Sequence, residues 1–328
     1  MKVKGLVVVL AALAAAVLAS LAVGAQSIPF DVVWDALWHG GTSEQAVVVN
    51  ELRLPRTLLG LGVGAALGLA GALVQALTRN PLGDPGLLGV NAGASAAVVS
   101  AIAFLGVTRP TAYVWFAFAG ALAAAVLVYA LGSRGRGGAT PVRLALAGTA
   151  ISAALGAFVS GVMMIDLRAF DTFRFWAVGS LAGRDLKVLT DLLPFLAAGI
   201  VLALVLAGPL NAMALGDDAA RALGSRVGLT RALGAVAVVL LSGAATASVG
   251  PIAFVGLAVP HVVRVFTGPD QRWLMPYSML AAAVVLLAAD VLARVVASPG
   301  ELEVGLVTAF VGAPVLIAVV RRTRIAQL

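Results

Sequence analysis

Ten long apolar runs, spread over the whole chain and separated by clusters of Pro, Gly and charge, leave few folds open. They cover 5–25, 54–77, 87–107, 112–132, 142–165, 189–207, 231–249, 252–266, 277–297 and 303–320. In hydrocarbon every backbone N–H and C=O must find a partner within the protein, so runs of this kind are expected as helices and not as strands. Most approach or exceed the roughly 20 residues that cross a bilayer. The run at 252–266 is shorter and is expected to tilt or to stop short of crossing. The expected fold is an all-α polytopic membrane protein of about ten transmembrane helices, forming one domain over 1–328.

Composition agrees. Of 328 residues, 61% are apolar and 11% are charged, against about 25% charged in a soluble domain. In water such a chain would expose large apolar patches. Cysteine is absent, which excludes disulfides, thiolate metal sites and a Cys nucleophile. The net charge of +7 sits in short segments between apolar runs, without a basic stripe interleaved with aromatics. It therefore reads as a topology signal, and nucleic acid is not expected as a partner. Met1–Lys4 is basic and Ala22–Ala25 resembles a signal-peptidase site, but the apolar run from Gly5 to Ala25 has 21 residues. A signal sequence has an apolar core of about 7–15, so a retained first helix is expected.

Orientation follows from Lys and Arg. With ten spans both termini lie on one side. Placing them in the cytoplasm puts 14 of the 22 Lys and Arg there and leaves 8 outside, while 11 of the 15 acidic residues fall outside. Three connecting segments stand out. Segment 26–52 carries Trp34, Trp38 and His39 and reads as a short interfacial helix. Segment 166–188 carries Arg168, Asp171, Arg174, Trp176 and Arg184. Segment 208–230 is cytoplasmic in this topology, and its Leu215–Gly224 portion reads as a helix running from an Asp-rich start to a Gly stop, with Ala219, Ala220 and Leu223 on one face.

Within the second run, Gly60, Gly64 and Gly68 repeat at four-residue spacing. Small residues let helix backbones approach where lipid gives no hydrophobic drive; the alternative is a pathway-lining face. Arg79-Asn-Pro-Leu-Gly-Asp-Pro-Gly-Leu-Leu-Gly-Val-Asn-Ala-Gly93 holds two prolines and four glycines, which fix a turn. His261 could be a ligand or a proton carrier, but no Cys or carboxylate cluster accompanies it, so a structural His at a helix end is expected. No phosphate-binding G-x-x-x-x-G-K-[ST] loop occurs, and no H-E-x-x-H. Any ATP hydrolysis must belong to another chain. An ion-coupled secondary transporter needs ionisable groups deep in the membrane, and Asp290 is the single acid well inside a run.

Four features together resemble the FecCD/BtuC-type permeases, the membrane subunits of binding-protein-dependent importers for iron-siderophores, haem and cobalamin. These are Arg53-Leu-Pro-Arg56, the Asn80–Gly89 turn, the Leu215–Gly224 helix and Gly250–Arg264. The resemblance runs over nearly the whole chain, in order and at the right spacing. It implies a type II importer permease fold with both termini cytoplasmic, in the inner membrane of a bacterium. It implies two copies of an ATPase subunit holding ATP and Mg, a second permease subunit, identical or related, and a substrate-binding protein. No cofactor or metal is implied on this chain. Gly216, Asp217, Asp218, Ala220, Arg221, Leu223 and Gly224 match the coupling helix that seats in the ATPase. Arg53, Arg56 and Arg294 match outer-surface arginines that meet glutamates of the binding protein; for Arg294 the rival is an intrahelical pair with Asp290. Asn80, Pro81 and Leu82 match a cytoplasmic gate, with Thr140 in the neighbouring gate loop, where Pro141 departs from the expected small polar run. Span five, at 144–165, would line the path along the dimer axis. Gly89-Val-Asn-Ala-Gly93 is closest to the ferric-siderophore members, with haem or cobalamin as the alternative cargo.

Overall fold

The computed structural model describes residues 2–107, 109–134, 140–298 and 300–322, and they are almost wholly helical. α1 (Lys2–Ala22) leads into two short helices, α2 (Phe30–His39) and α3 (Glu44–Val47), and a π-helical turn at Val48–Arg53. α4 (Leu54–Thr78) is followed by a 3₁₀ turn at Pro85–Leu88, then α5 (Val90–Leu105), α6 (Pro110–Ser133), α7 (Pro141–Ile165) and α8 (Leu167–Ala177). α9 (Leu186–Val205), α10 (Ala207–Ala214) and α11 (Asp217–Ala222) precede α12 (Val227–Val249), α13 (Val255–Thr267), α14 (Gln271–Val296) and α15 (Val304–Arg322).

Seven of these helices are long and apolar enough to cross a membrane. Three more, at Val90–Leu105, Val255–Thr267 and Val304–Ile317, are apolar but shorter. The run at 87–107 begins with the 3₁₀ turn, so its helix starts late. The run at 189–207 is followed directly by α10, which converts part of the expected 208–230 connection into packed helix. α13 spans roughly 20 Å at 1.5 Å per residue, less than a hydrocarbon core of about 30 Å. An irregular stretch at 250–254 precedes it. That backbone is tolerable because it lies against protein: a Cβ at Gly250 would overlap the Trp176 carbonyl oxygen, and one at Gly179 would overlap the Pro251 carbonyl oxygen.

α4 and α12 are the central posts, and α4 packs most heavily on α14. The glycines explain how closely. A Cβ at Gly64 would lie 2.6 Å from the Ala283 Cα, and one at Gly71 would overlap the Gly256 carbonyl oxygen. Of the two readings of this stripe, helix packing within the chain is the one the structure supports. α1 lies at the periphery with Val3, Val7 and Val8 exposed, and α2 exposes Phe30, Trp34 and Trp38 on one face, as an interfacial helix does.

Candidate functional site: two charged clusters at opposite ends of the bundle

At one end, the start of α4 meets the end of α14. Arg56 grips Asp290 with Nε at 3.0 Å from both carboxylate oxygens and Nη2 at 2.8 Å from Oδ1. Its Nη1 donates to Glu301 Oε2 at 2.7 Å. Arg294 lies 3.1 Å from the same Asp290 and donates to the Ser20 carbonyl at 3.0 Å. Arg53 donates to the carbonyls of Leu21 and Gln26. Asp290 is fully buried, and Arg53, Arg56 and Arg294 are 6%, 9% and 3% exposed. The expectation that these three arginines stand on the outer surface is therefore corrected: all three are buried. Carbonyls freed at the end of α1 and an acid inside the bundle satisfy these guanidinia, and the intrahelical Asp290–Arg294 pair is present. Glu301, which the sequence reading did not single out, is 40% exposed at its side chain and is the acid this cluster shows to the surface.

At the other end, α11 projects between two glycines in conformations that other residues rarely adopt, Gly216 (φ 108°) and Gly224 (φ 81°). Leu215 and Leu223 are 69% and 66% exposed. Asp218 and Arg221 pair with each other at 2.7 Å on the open side. Ala220 is fully buried, so it anchors α11 and does not contribute to its open face as expected. Asp217 also turns inward. It accepts from Arg79 and, at 2.9 Å, from Arg231. Burial opposes ionisation of Asp217, but the hydrogen bond from Arg79 and the positive charges of Arg231 and Arg79 outweigh it and hold the carboxyl below its ordinary range.

Arg79 caps α4 in the left-handed region, φ 51°, and Asn80, Pro81 and Leu82 follow it directly. Asn80 Oδ1 accepts from the Leu82 N–H at 2.9 Å, the Asn80 carbonyl accepts from the Gly83 N–H at 3.0 Å, and Leu82 is 41% exposed. Asp84 closes the next turn by accepting from the Gly86 N–H at 2.7 Å. Thr140 stands before α7 as its cap residue without a capping side-chain bond. The structure thus joins the Asn80 turn to α11 through side chains 138 residues apart, and no local signal in the sequence pointed to that pairing. His261 lies in the middle of α13, not at an end, and its Nδ1 is buried without a hydrogen-bond partner among the described residues.

An apolar groove of about 420 Å³ runs between α13, α14 and α15; Thr308 is the one polar residue in its lining. It offers nothing to a charged chelate. α7 is different from the other long helices. Through its middle it exposes mainly small residues, Thr149, Ala153, Gly156, Ala157 and Ser160, together with Phe158, and a Cβ at Gly156 or Gly161 would meet nothing within 4 Å.

A family model described as the FecCD transport family matches residues 12–322. The ferric enterobactin transport system permease protein FepD of Escherichia coli is 51% identical over 304 residues, covering 92% of this chain and 90% of the relative. The probable siderophore transport system permease protein YfiZ of Bacillus subtilis is 40% identical over 307 residues, covering 94% and 92%. A solved structure described as an inward-facing conformation of a metal-chelate type ABC transporter superposes with a TM-score of 0.86 at 27% identity, over 98% of this chain and all of that one.

Proposed function

The chain belongs to the FecCD transport family, and we propose that within it the protein is the membrane-spanning permease of an ATP-driven importer for a ferric siderophore. The observation that carries this is the 51% identity to a ferric enterobactin permease over nine-tenths of both chains. On this reading the seven long apolar helices and the three shorter ones make ten passes, with both termini in the cytoplasm of a bacterium and α11 on that side. Two copies of an ATPase subunit, carrying ATP and Mg, seat α11 through Leu215, Leu223 and the Asp218–Arg221 pair. Gly216 and Gly224 let that helix protrude.

A second permease subunit faces α7. The cargo descends between the two and leaves past Asn80, Pro81 and Leu82, with Thr140 beside them. A substrate-binding protein lands on the opposite face. There the arginine cluster acts through its excess of cation over acid: it speeds and orients an acidic partner without a direct fork from each residue. An ion-coupled transporter is disfavoured because Asp290, the acid it would need, is held between Arg56 and Arg294.

The test is ATP hydrolysis by the complete complex in lipid discs, with and without its loaded binding protein, for wild type and Leu223→Glu. Stimulated hydrolysis that collapses in the variant supports the reading. Co-purification without an ATPase, or a variant equal to wild type, overturns it.

A further inference from the structure

We propose that Arg79, Asp217 and Arg231 form the joint through which movement of α11 reaches the Asn80–Leu82 turn. The proposal rests on the permease reading above and gives Asp217 a different task from its neighbours: Asp218, Arg221 and Leu223 meet the ATPase, while Asp217 passes the motion on.

The geometry carries the argument. α11 is six residues long and is flanked by Gly216 and Gly224, around which a side chain would meet nothing. A short rigid rod between two permissive links can tilt as a body. Among the described residues its polar side-chain ties to the rest of the chain are those of Asp217 alone, since Asp218 and Arg221 bond to each other. One of those ties goes to Arg231, one turn into α12. The other goes to Arg79, the last residue before the Asn80 turn.

Arg79 is well placed to pass on a pull. Its backbone sits in the left-handed region, where a side chain is strained and persists only if its surroundings hold it. The turn beyond it is stiff, since Pro81 fixes one dihedral and Asn80 bonds to Leu82 and Gly83. Displacing the Arg79 side chain therefore moves the turn as a unit. There is room for it to move. A cavity of about 50 Å³ lies behind, lined by Val74, Leu77, Thr78, Leu87, Tyr129 and Arg231 among others. Arg231 thus touches both the joint and the space that a shifted α4 end would fill. Two arginines on one carboxylate also keep Asp217 ionised, so the joint holds at neutral pH.

The experiment uses the complete complex with its ATPase and loaded binding protein, reconstituted in liposomes. Cargo uptake and ATP hydrolysis are read from the same preparation. Arg79→Gln and Arg231→Gln should keep at least about half of the stimulated hydrolysis while cargo moved per ATP falls at least about fivefold; Arg79→Lys, which keeps the charge, should stay within about twofold of wild type. A fall of about fivefold is at the upper end of the roughly one- to fivefold effect of losing a half-exposed ion pair, and a stability loss alone would lower uptake and hydrolysis together. Spin labels at Leu82 and Ser225 supply a second readout for a variant that assembles poorly. In Arg79→Gln the ATP-dependent shift should persist at Ser225 and vanish at Leu82. Uptake per ATP that is unchanged in Arg79→Gln, or uptake and hydrolysis that fall in proportion, overturns the joint. If wild type itself shows neither stimulated hydrolysis nor uptake, the importer reading fails first and takes the joint with it.

Discussion

At the scale of single residues, Asp290 decides how one end of the bundle is held. It is fully buried between Arg56 and Arg294. Losing one partner of a buried ion pair typically costs about 3–5 kcal/mol, because the charge left behind has no solvent. Asp290→Asn strands two guanidinia and should cost that much in an unfolding experiment in detergent. Glu301→Gln, at a side chain 40% exposed, should cost about 1 kcal/mol or less. Equal losses from the two variants would show that Arg56 does not depend on Asp290. Half of this cluster was legible beforehand: Asp290 and Arg294 stand four apart on one helix, the spacing of an intrahelical pair. The other half was not, because Arg56 lies 234 residues from its partner and nothing local marks such a meeting. The resemblance alone put the three arginines on the outer surface, and it carries no information about the burial that Asp290 and the α1 carbonyls impose. At the opposite end, Asp217 has its carboxyl held down by Arg79 and Arg231. A depressed acid stabilises its surroundings at all pH above its unfolded value, about 3.9, and loses that contribution only as pH falls through the lower folded value. The tie on α11 should therefore be constant from about pH 5 to 8. Carbon NMR of a labelled Asp217 carboxyl should give a midpoint below the ordinary range, and Arg79→Gln/Arg231→Gln should raise it. An unchanged midpoint would dissolve the pairing.

At the scale of elements, the helices were readable because lipid permits little else, and the apolar runs fall within two residues of α4, α6 and α7, while α14 begins six residues before its run. α10 was missed, and the 3₁₀ turn at Pro85–Leu88, inside the turn expected over 79–93, takes the first residues of the run at 87–107. Both are short and sit where Pro, Gly and Asn favour turns as much as helix; tertiary packing decides their form. The glycine stripe of α4 was readable as a spacing but not as a set of partners. Those partners are now specific. A methyl at Gly71 meets a backbone carbonyl of α13, which cannot rotate away as a side chain could. Gly71→Ala should destabilise the purified chain by about 1–3 kcal/mol through overpacking. Gly228→Ala, in α12 with open space around it, should be neutral or slightly stabilising, because Ala restricts the unfolded chain more than Gly does. Unfolding midpoints in one detergent compare the two. A Gly71→Ala variant as stable as Gly228→Ala would mean that α4 and α13 can part without cost.

At the scale of the whole molecule, α1 and α7 are both largely uncovered, yet they are uncovered in different ways. α1 presents Val3, Val7 and Val8, side chains suited to lipid. The middle of α7 presents Thr149, Ala153, Gly156, Ala157 and Ser160, with Phe158 the large apolar side chain among them and open space around Gly156 and Gly161. Lipid chains gain little from such a surface, whereas a second helix or a bulky cargo can come close to it. The permease reading uses this face twice, as the seam between subunits and as the wall of the path. It follows that Gly156→Leu/Ser160→Leu should leave the single chain folded, since among the described residues a Cβ at Gly156 meets nothing within 4 Å and Ser160 is exposed, while blocking the approach of a second subunit. Light scattering of the purified protein in detergent should give the mass of a pair for wild type and of one chain for the variant, at equal unfolding midpoints. A variant that stays paired would move the seam to another helix and leave the small residues of α7 to the cargo alone. A variant that unfolds would mean that α7 is braced from within the chain, against the open space around its glycines.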